Sequence, residues 1–192
     1  MRRKKKKMSN IEKEIRLEVN KEQIEKVRNN TELVSDKKRM IDITCGKYGF
    51  DSLSKVGYIC RVRAKNGKYK LEVKNYLDSE KAMEKSIEIE SVKDGVEFLG
   101  LLGMAPYLVL DRYREIRKYN GLTICIDEFQ DDIGDYIEIE YQETDRNQAI
   151  QFVEEMELTL DLKEKYGDIV KTRLEKDKEF EKKFTKSLNG YK

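Results

Sequence analysis

Histidine and tryptophan are absent from the sequence, and Pro106 is its only proline. Without histidine, neither an imidazole general base nor a serine–histidine–aspartate triad can operate in this protein. The three cysteines are scattered and form no C-x-x-C pair, so we expect neither a zinc site nor a disulfide framework. Any bound metal must then be held mainly by carboxylate oxygens, which favours Mg²⁺ or Mn²⁺ as the cofactor.

The scarcity of cysteine also indicates a reducing, cytoplasmic setting, in which free thiols are stable. We expect Cys60 and Cys125 to be small core residues that face the apolar side of their strands. No apolar run is long enough to form a signal peptide or to cross a membrane, so no membrane partner is expected.

Net charge is also nearly absent, since 40 Lys and Arg residues oppose 38 Asp and Glu residues. This balance gives no overall field that would attract nucleic acid. The basic block MRRKKKKM, residues 1–8, is interpreted as a disordered, solvated tail. The remaining residues, 9–192, contain no low-complexity linker and enough apolar residues for one domain with its own core.

Charged residues recur at every second position along most of the predicted strands. In an extended strand this spacing puts like charges on one face, about 6.5–7 Å apart. Such pairs repel unless an opposite charge lies between them: two glutamates can share a divalent cation, and two arginines can share a phosphate. A solvated sheet surface is the alternative interpretation. We expect Glu138 and Glu140 to lie on the wet face of their strand, so that truncating either side chain leaves no core cavity. The paired positions are Glu12 and Glu14, Arg61 and Arg63, Glu88 and Glu90, Arg112 and Arg114, and Glu138 and Glu140.

The opposite faces of these strands are apolar and can pack against helices, which predicts an α+β fold. Two hairpins are expected to turn at Asn66-Gly67 and at Asn120-Gly121, because Asn-Gly suits the left-handed conformations of a tight turn. Amphipathic segments predict C-terminal helices from about residue 145 onward.

Seven short motifs occur in a fixed order along the chain: EKEIR, CRVR, LEVK, IEIE, DRYR, CID and GDYIEIE. They run from Glu12 to Glu140, and their order resembles that of the CYTH superfamily, also called triphosphate tunnel metalloenzymes. The superfamily includes class IV adenylyl cyclases, thiamine triphosphatases and inorganic triphosphatases. The resemblance implies a closed antiparallel eight-stranded β-barrel, the triphosphate tunnel, with helices packed outside it.

The resemblance also implies roles for individual residues. Arg16 stands where Lys is usual; arginine can hold a phosphate but cannot lose its proton, so it cannot act as an acid or base. The resemblance nevertheless implies that the catalytic residues are Arg16, Lys74 and Asp127. The family's C-terminal Ser-Tyr pair has no clear match, and IVKTRLE stands in its place. The resemblance implies metal binding by Glu12, Glu14, Glu138 and Glu140, triphosphate binding by Arg61, Arg63, Lys74, Arg112 and Arg114, and a second acidic pair formed by Glu88 and Glu90.

A divalent-metal-dependent triphosphatase is the first function that these motifs predict, because hydrolysis demands less of the site than cyclisation. Its substrate would be inorganic tripolyphosphate, a nucleoside triphosphate or thiamine triphosphate. A class IV adenylyl cyclase, which converts ATP to cyclic AMP and pyrophosphate, is the second, because the LGLLGMAPYLVLDRYR segment is similar to that branch. A non-catalytic triphosphate- or nucleotide-binding module is the third, although its glutamates would repel phosphate without a metal. A homodimer is a further expectation.

The charged faces carry Arg, Lys and Glu, but no Trp or His and few Asn or Gln. Selective reading of a purine needs stacking aromatic residues and matched polar partners. We therefore expect phosphates to be recognised better than the group attached to them, and tripolyphosphate to be cleaved at least as well as ATP.

Overall fold

Eight β-strands and six α-helices make up the described part of the chain, which in this computed structural model comprises residues 11–76, 81–130, 132–160 and 165–191. The predicted basic tail, residues 1–8, lies outside these ranges. None of the helices within them is long and apolar enough to cross a membrane. The strands are β1 (Ile11–Val19), β2 (Glu32–Gly46), β3 (Tyr58–Lys65), β4 (Lys68–Tyr76), β5 (Lys81–Ile89), β6 (Ala105–Tyr119), β7 (Leu122–Phe129) and β8 (Asp135–Tyr141). The helices are α1 (Lys21–Asn30), α2 (Ser52–Val56), α3 (Val92–Leu101), α4 (Arg146–Glu155), α5 (Tyr166–Lys176) and α6 (Lys178–Asn189).

Each strand pairs antiparallel with two neighbours. The strand order is β1-β5-β4-β3-β2-β6-β7-β8, and it forms a ring because β1 pairs with both β5 and β8. The seam between β1 and β5 is short, with three residue pairs, whereas β1 and β8 share seven. The predicted α+β class, with eight antiparallel strands and accompanying helices, is confirmed.

The β3–β4 and β6–β7 hairpins turn where the sequence predicts. Asn66 and Gly67 have φ of 53° and 69°, and Asn120 and Gly121 have φ of 45° and 91°. These left-handed conformations strain most side chains, but Asn and Gly tolerate them. Because both loops are two residues long, they fix the register of the strands that carry the predicted arginines.

Helices cover the apolar outer face of the sheet. Phe152 of α4 and Ile24 of α1 are fully buried in a cluster with the isoleucines of β7 and β8. On another side of the ring, Leu99 of α3 packs in a cluster with Val62 of β3. Because strand side chains alternate between two faces, this burial turns the charged positions toward the inside of the ring.

Helices α5 and α6 pack over one end of the ring. Leu108 and Leu110 share the inner face of β6 with Arg112 and Arg114, since these four positions alternate along one strand. The residues of α5 and α6 that cluster with the two leucines are Tyr166, Val170, Phe180 and Phe184. One face of β6 thus changes from apolar, under the helices, to charged, inside the ring.

The cysteines divide between the two faces. Cys60 belongs to the apolar cluster beside α3, as predicted. Cys125 instead stands opposite Glu138 in the β7–β8 register, and its Sγ lies 3.6 Å from Glu140 Oε1. The prediction for Cys125 is therefore wrong: the isoleucines on either side of it occupy the outer face, which leaves the thiol on the charged one.

Candidate functional site

The inside of the strand ring contains a cavity of about 160 Å³, which we call the arginine cavity. Seven strands and the start of α5 contribute to its lining, because each strand directs alternate side chains inward. All six arginines and lysines that the sequence singles out lie here; the predicted Asp127 stands just behind the lining. The charged lining residues are Glu14, Arg16, Asp42, Arg61, Arg63, Lys74, Glu84, Arg112, Arg114, Glu138, Glu140, Lys165 and Asp168.

Arg16 and Arg114 hold Glu138 from two sides. Arg16 Nε and Nη2 lie 2.9 and 2.6 Å from Glu138 Oε1, and Arg114 donates to Glu138 Oε2. Burial alone would raise the pKa of Glu138, but the two guanidinium groups hold that pKa well below its usual value. Glu138 is only 4% exposed. It is therefore a buried partner of two cations, whereas the strand pattern predicted a solvated side chain on a wet face.

Asp127 and Tyr166 support this arrangement from behind. Arg114 Nε donates to Asp127 Oδ1 at 2.6 Å, and the Tyr166 hydroxyl donates to Asp127 Oδ2 at 3.1 Å. The ring of Tyr166 also lies 4.1 Å from Arg16 Cζ, a cation–π contact. Tyr166, at the start of α5, is a site residue that the sequence analysis missed, because the C-terminal wall was sought three residues later, in IVKTRLE.

Asp42, on β2, is a second buried carboxylate that the sequence analysis did not single out. Arg63 Nε and Nη2 lie 2.6 and 3.0 Å from its two oxygens, and Arg112 Nη2 lies 2.9 Å from Asp42 Oδ2. Burial alone would raise the pKa of Asp42, but Arg63 and Arg112 hold it well below its usual value. Alternation in RMIDIT could have identified it, because an acid between two isoleucines of a strand must face the charged side.

The acid that β5 contributes to the cavity differs from the predicted pair. Glu84 lines the cavity, and its Oε1 lies 3.2 Å from Arg61 Nη2. Glu88 and Glu90 are exposed and stand outside the lining. The register is the reason: Glu84 lies directly opposite Lys74 of β4, whereas Glu88 lies farther along β5 and Glu90 just past its end.

One wall of the arginine cavity is apolar and aromatic. Phe50 and Leu53 contribute to it from the segment around α2, and Tyr107 from β6. The rings of Phe50 and Tyr107 meet edge to face with centroids 5.2 Å apart. Tyr76, also in the lining, has Lys165 Nζ 3.8 Å from its ring centroid. The cavity therefore offers an aromatic surface beside its charged one, which the strand motifs did not predict.

The glutamates fit a hard divalent cation in type and position. Glu14 and Glu140 stand directly opposite each other in the β1–β8 register, and Glu138 lies two residues from Glu140. Carboxylate oxygens of this kind suit Mg²⁺ or Mn²⁺. Within the described ranges, however, no three acidic, cysteine or histidine side chains form a ready metal site, and Arg16 holds both Glu14 and Glu138. The side chain of Glu12 is not among those described.

The buried carboxylates predict a loss of stability in acid. The pKa values of Asp42 and Glu138 are depressed in the folded protein. Their ion pairs therefore stabilise the fold above the unfolded-state pKa values of about 4, and this stabilisation is lost as the pH falls toward the depressed values. We expect a melting temperature that changes little from pH 7 to about 5 and declines steeply below about 4. Thermal melts followed by circular dichroism measure this, and a flat profile in acid would contradict it.

A family model described as the CYTH domain matches residues 10–173. No curated protein matches the sequence. Among solved structures, a conserved hypothetical protein from Pyrococcus furiosus is similar, with 22% identity, a TM-score of 0.71, and coverage of 82% of this chain and 99% of that one. A candidate adenylate cyclase from Vibrio parahaemolyticus has 17% identity and a TM-score of 0.68, with coverage of 85% and 99%.

A third similar structure is that of a candidate adenylyl cyclase from Hippeastrum, described as having a dominant triphosphatase activity. It has 17% identity and a TM-score of 0.55, with coverage of 77% of this chain and 88% of that one. At this level of identity the three structures support the fold, and the family model supports the membership. Since that model spans most of the chain, including the strands that line the arginine cavity, the protein belongs to the CYTH domain family.

Proposed function

We propose that the protein is a divalent-metal-dependent phosphohydrolase that cleaves triphosphate substrates inside the strand ring, which would act as a triphosphate tunnel. A triphosphate concentrates several negative charges in a short chain, and guanidinium groups match its oxygens in bidentate pairs. Six cations on four strands line the arginine cavity where such a chain would lie. They are Arg16, Arg61, Arg63, Lys74, Arg112 and Arg114.

Arg112 is the single observation that carries this proposal. Its side chain is buried, yet its Nε and Nη1 have no hydrogen-bond acceptor within the described ranges. Nε does lie 3.1 Å from Asp127 Oδ2, but not in hydrogen-bonding geometry. Buried donors of a charged group are costly when they are left unsatisfied. Phosphate oxygens in the arginine cavity would accept hydrogen bonds from them.

Carboxylates form ion pairs with several of the other cations of the cavity. Glu138 is held by Arg16 and Arg114, and Glu14 by Arg16 and Lys74. A phosphate that takes over these cations replaces one buried anion with another, so no isolated charge has to be desolvated. The same exchange would release Glu14 and Glu138 for a metal ion, which links substrate binding to completion of the metal site.

Lys74 acts as a fixed positive charge and not as a base. Burial alone would lower its pKa, but Glu14, 3.4 Å away, keeps that pKa above its usual value. Arg16 also stays protonated, because Glu138 outweighs the effect of burial on its pKa. Phosphoryl transfer depends mainly on positioning and on charge neutralisation, which these cations provide. Mg²⁺ or Mn²⁺ would neutralise further charge on the phosphoryl oxygens when held by Glu12, Glu14, Glu138 and Glu140.

A class IV adenylyl cyclase is the alternative, and the aromatic wall favours it. Phe50, Tyr76 and Tyr107 present flat surfaces on which an adenine ring could pack. The similar proteins from Vibrio parahaemolyticus and Hippeastrum are named as candidate cyclases, and the second is also described as a triphosphatase. Hydrolysis and cyclisation would use the same cations, because both reactions must neutralise the same triphosphate.

Product analysis separates these functions. The protein is incubated with tripolyphosphate, ATP or GTP in Mg²⁺ or Mn²⁺, and cyclic AMP, ADP, pyrophosphate and free phosphate are quantified. We expect free phosphate from all three substrates, with tripolyphosphate cleaved at least as well as ATP. Cyclic AMP and pyrophosphate as the main products from ATP would establish the cyclase instead. Tight binding of all three substrates without any product would indicate a non-catalytic binding module instead.

Activity is expected to require an added divalent cation and to disappear in excess chelator. The reason is that turnover, unlike binding, needs the charge that a divalent cation would neutralise on the phosphoryl oxygens. Returning Mg²⁺ or Mn²⁺ in excess should restore turnover, and an unchanged circular dichroism spectrum would exclude unfolding as the cause of the loss. Full turnover in chelator would refute the metal assignment.

A further inference from the structure

A second cavity, of about 450 Å³, lies beyond the arginine cavity, toward the β3–β4 hairpin. We call it the lysine cavity, because Lys65, Lys68 and Lys70 contribute to its lining. It shares Arg63, Arg114 and Glu140 with the arginine cavity, so the two spaces adjoin along the inside of the ring. The function proposed above leaves these three lysines without a role.

The lysines are arranged so that they repel one another. Lys65 lies directly opposite Lys68 in the β3–β4 register, and Lys70 lies opposite Arg63. Like charges in direct cross-strand pairs destabilise a sheet. Over the residues that the structure describes, no carboxylate oxygen lies within 4 Å of the Nζ atoms of these lysines.

The acids near the lysine cavity leave this positive charge unbalanced. Two acids, Glu72 and Glu140, contribute to the lining against five cations, and Arg61 holds Glu72 Oε2 at 2.6 Å. Glu88, which faces Lys70 across the β4–β5 register, is exposed to solvent. Burial lowers the pKa of Lys65, and the neighbouring Arg114 and Arg63 lower it further, as expected where cations outnumber anions. An anion in this cavity would relieve the repulsion.

We propose that the lysine cavity binds the additional phosphates of a linear inorganic polyphosphate whose terminal triphosphate occupies the arginine cavity. This inference rests on the proposed function, because it extends the same bound chain. Arg63 and Arg114 contact both spaces, and Lys65 lies two residues beyond Arg63, about 6.5–7 Å farther along β3. The ligand class is therefore a phosphate chain of more than three units.

The chemistry of the lining favours polyphosphate over an organic ligand. An ammonium group is a compact charge without a fixed fork geometry, so it can hold a chain of identical phosphates in several positions. The aromatic wall belongs to the arginine cavity, and no aromatic side chain among the described residues lines the lysine cavity. A nucleobase would find no stacking partner here.

Binding of two phosphate chains to three proteins tests the proposal. Calorimetry in excess chelator prevents metal-dependent turnover and compares tripolyphosphate with a linear polyphosphate of about fifteen units. The proteins are the full wild-type chain, the variant Lys65→Gln/Lys68→Gln/Lys70→Gln, and a control that removes the same charge from the exposed faces of α5 and α6. That control is Lys176→Gln/Lys182→Gln/Lys186→Gln.

We expect wild type and control to bind the long chain on the order of tenfold more tightly than the cavity variant does, since each partly exposed ion pair contributes a small factor. Tripolyphosphate should bind all three proteins equally. The statistical advantage of a long chain, which has many equivalent segments, is common to all three proteins and cancels in this comparison. Equal affinity of the three proteins for the long chain would overturn the proposal, and so would a matching loss of tripolyphosphate affinity in the cavity variant.

Failure of the proposed function gives a different result. Wild type incubated with tripolyphosphate and Mn²⁺ would then release no free phosphate, whichever phosphate chains the three proteins bind. If the triple variant does not fold, Lys68→Gln alone replaces it, because Lys68 is exposed beside the hairpin turn. That variant should lose part of the long-chain affinity, and an affinity equal to that of wild type would overturn the proposal.

Discussion

Asp42→Asn is expected to lower the free energy of unfolding by about 3–5 kcal/mol, which is the usual cost of removing one partner from a buried ion pair. Asp42 is 1% exposed and accepts hydrogen bonds from Arg63 and Arg112. Asparagine keeps the shape of the side chain but deprives Arg112, which is buried, and Arg63, which is partly buried, of one counter-charge each. For a chain of this length the melting temperature should fall by roughly 10 °C.

Asp111 provides a matched control on the surface. It accepts two hydrogen bonds from Arg39, at 3.0 and 2.6 Å, but Arg39 is 58% exposed. Asp111→Asn should therefore change the free energy of unfolding by less than about 1 kcal/mol. Denaturant titrations of both variants measure the difference, and equal losses would show that the pairing of Asp42 is no more important than a surface contact. Added tripolyphosphate should stabilise Asp42→Asn more than wild type, because it supplies the missing negative charge.

Arg114→Lys is expected to reduce kcat/KM for a triphosphate substrate by on the order of a hundredfold. Arg114 binds Asp127 and Glu138 and lines the arginine cavity. Lysine retains the positive charge but cannot make the paired, planar contacts of a guanidinium group. Losing a preorganised hydrogen-bond donor from a site where charge develops in the transition state lowers the rate by a factor of this size.

The control for this variant is Arg39→Lys, which makes the same substitution at an exposed arginine outside the cavity. It should leave kcat/KM unchanged. Thermal melts should place Arg114→Lys within a few degrees of wild type, since the charge opposite Asp127 and Glu138 is kept. Unchanged kcat/KM in folded Arg114→Lys would remove Arg114 from the substrate site.

Local patterns identified much of the site. Alternation alone puts Arg61 with Arg63, and Arg112 with Arg114, on one face of their strands, and the structure places all four in the arginine cavity. The Asn-Gly turns at Asn66 and Asn120 were also predictable, because the requirement for a positive φ is set by the residue itself. The resemblance of motif order to the CYTH superfamily is supported by the family model.

Other parts of the site depend on contacts that no local pattern contains. Tyr166 reaches Asp127 only because α5 packs over one end of the ring. Glu84 and not Glu88 enters the arginine cavity, since the β4–β5 register sets which residue of β5 lies opposite Lys74. The aromatic wall is also assembled from separate segments, around α2 and in β4 and β6.

The sequence by itself determined which residues share a face, where two hairpins turn and to which family the chain is similar, because strand alternation and turn preference act over a few residues. Only the tertiary structure decided which acid neutralises which cation. Arg16 and Glu138 are 122 positions apart in the chain and meet because β1 pairs with β8. That pairing makes Glu138, which the strand pattern predicted on a wet face, a buried partner of Arg16. Burial is the reason why we expect such charges to have large effects on stability.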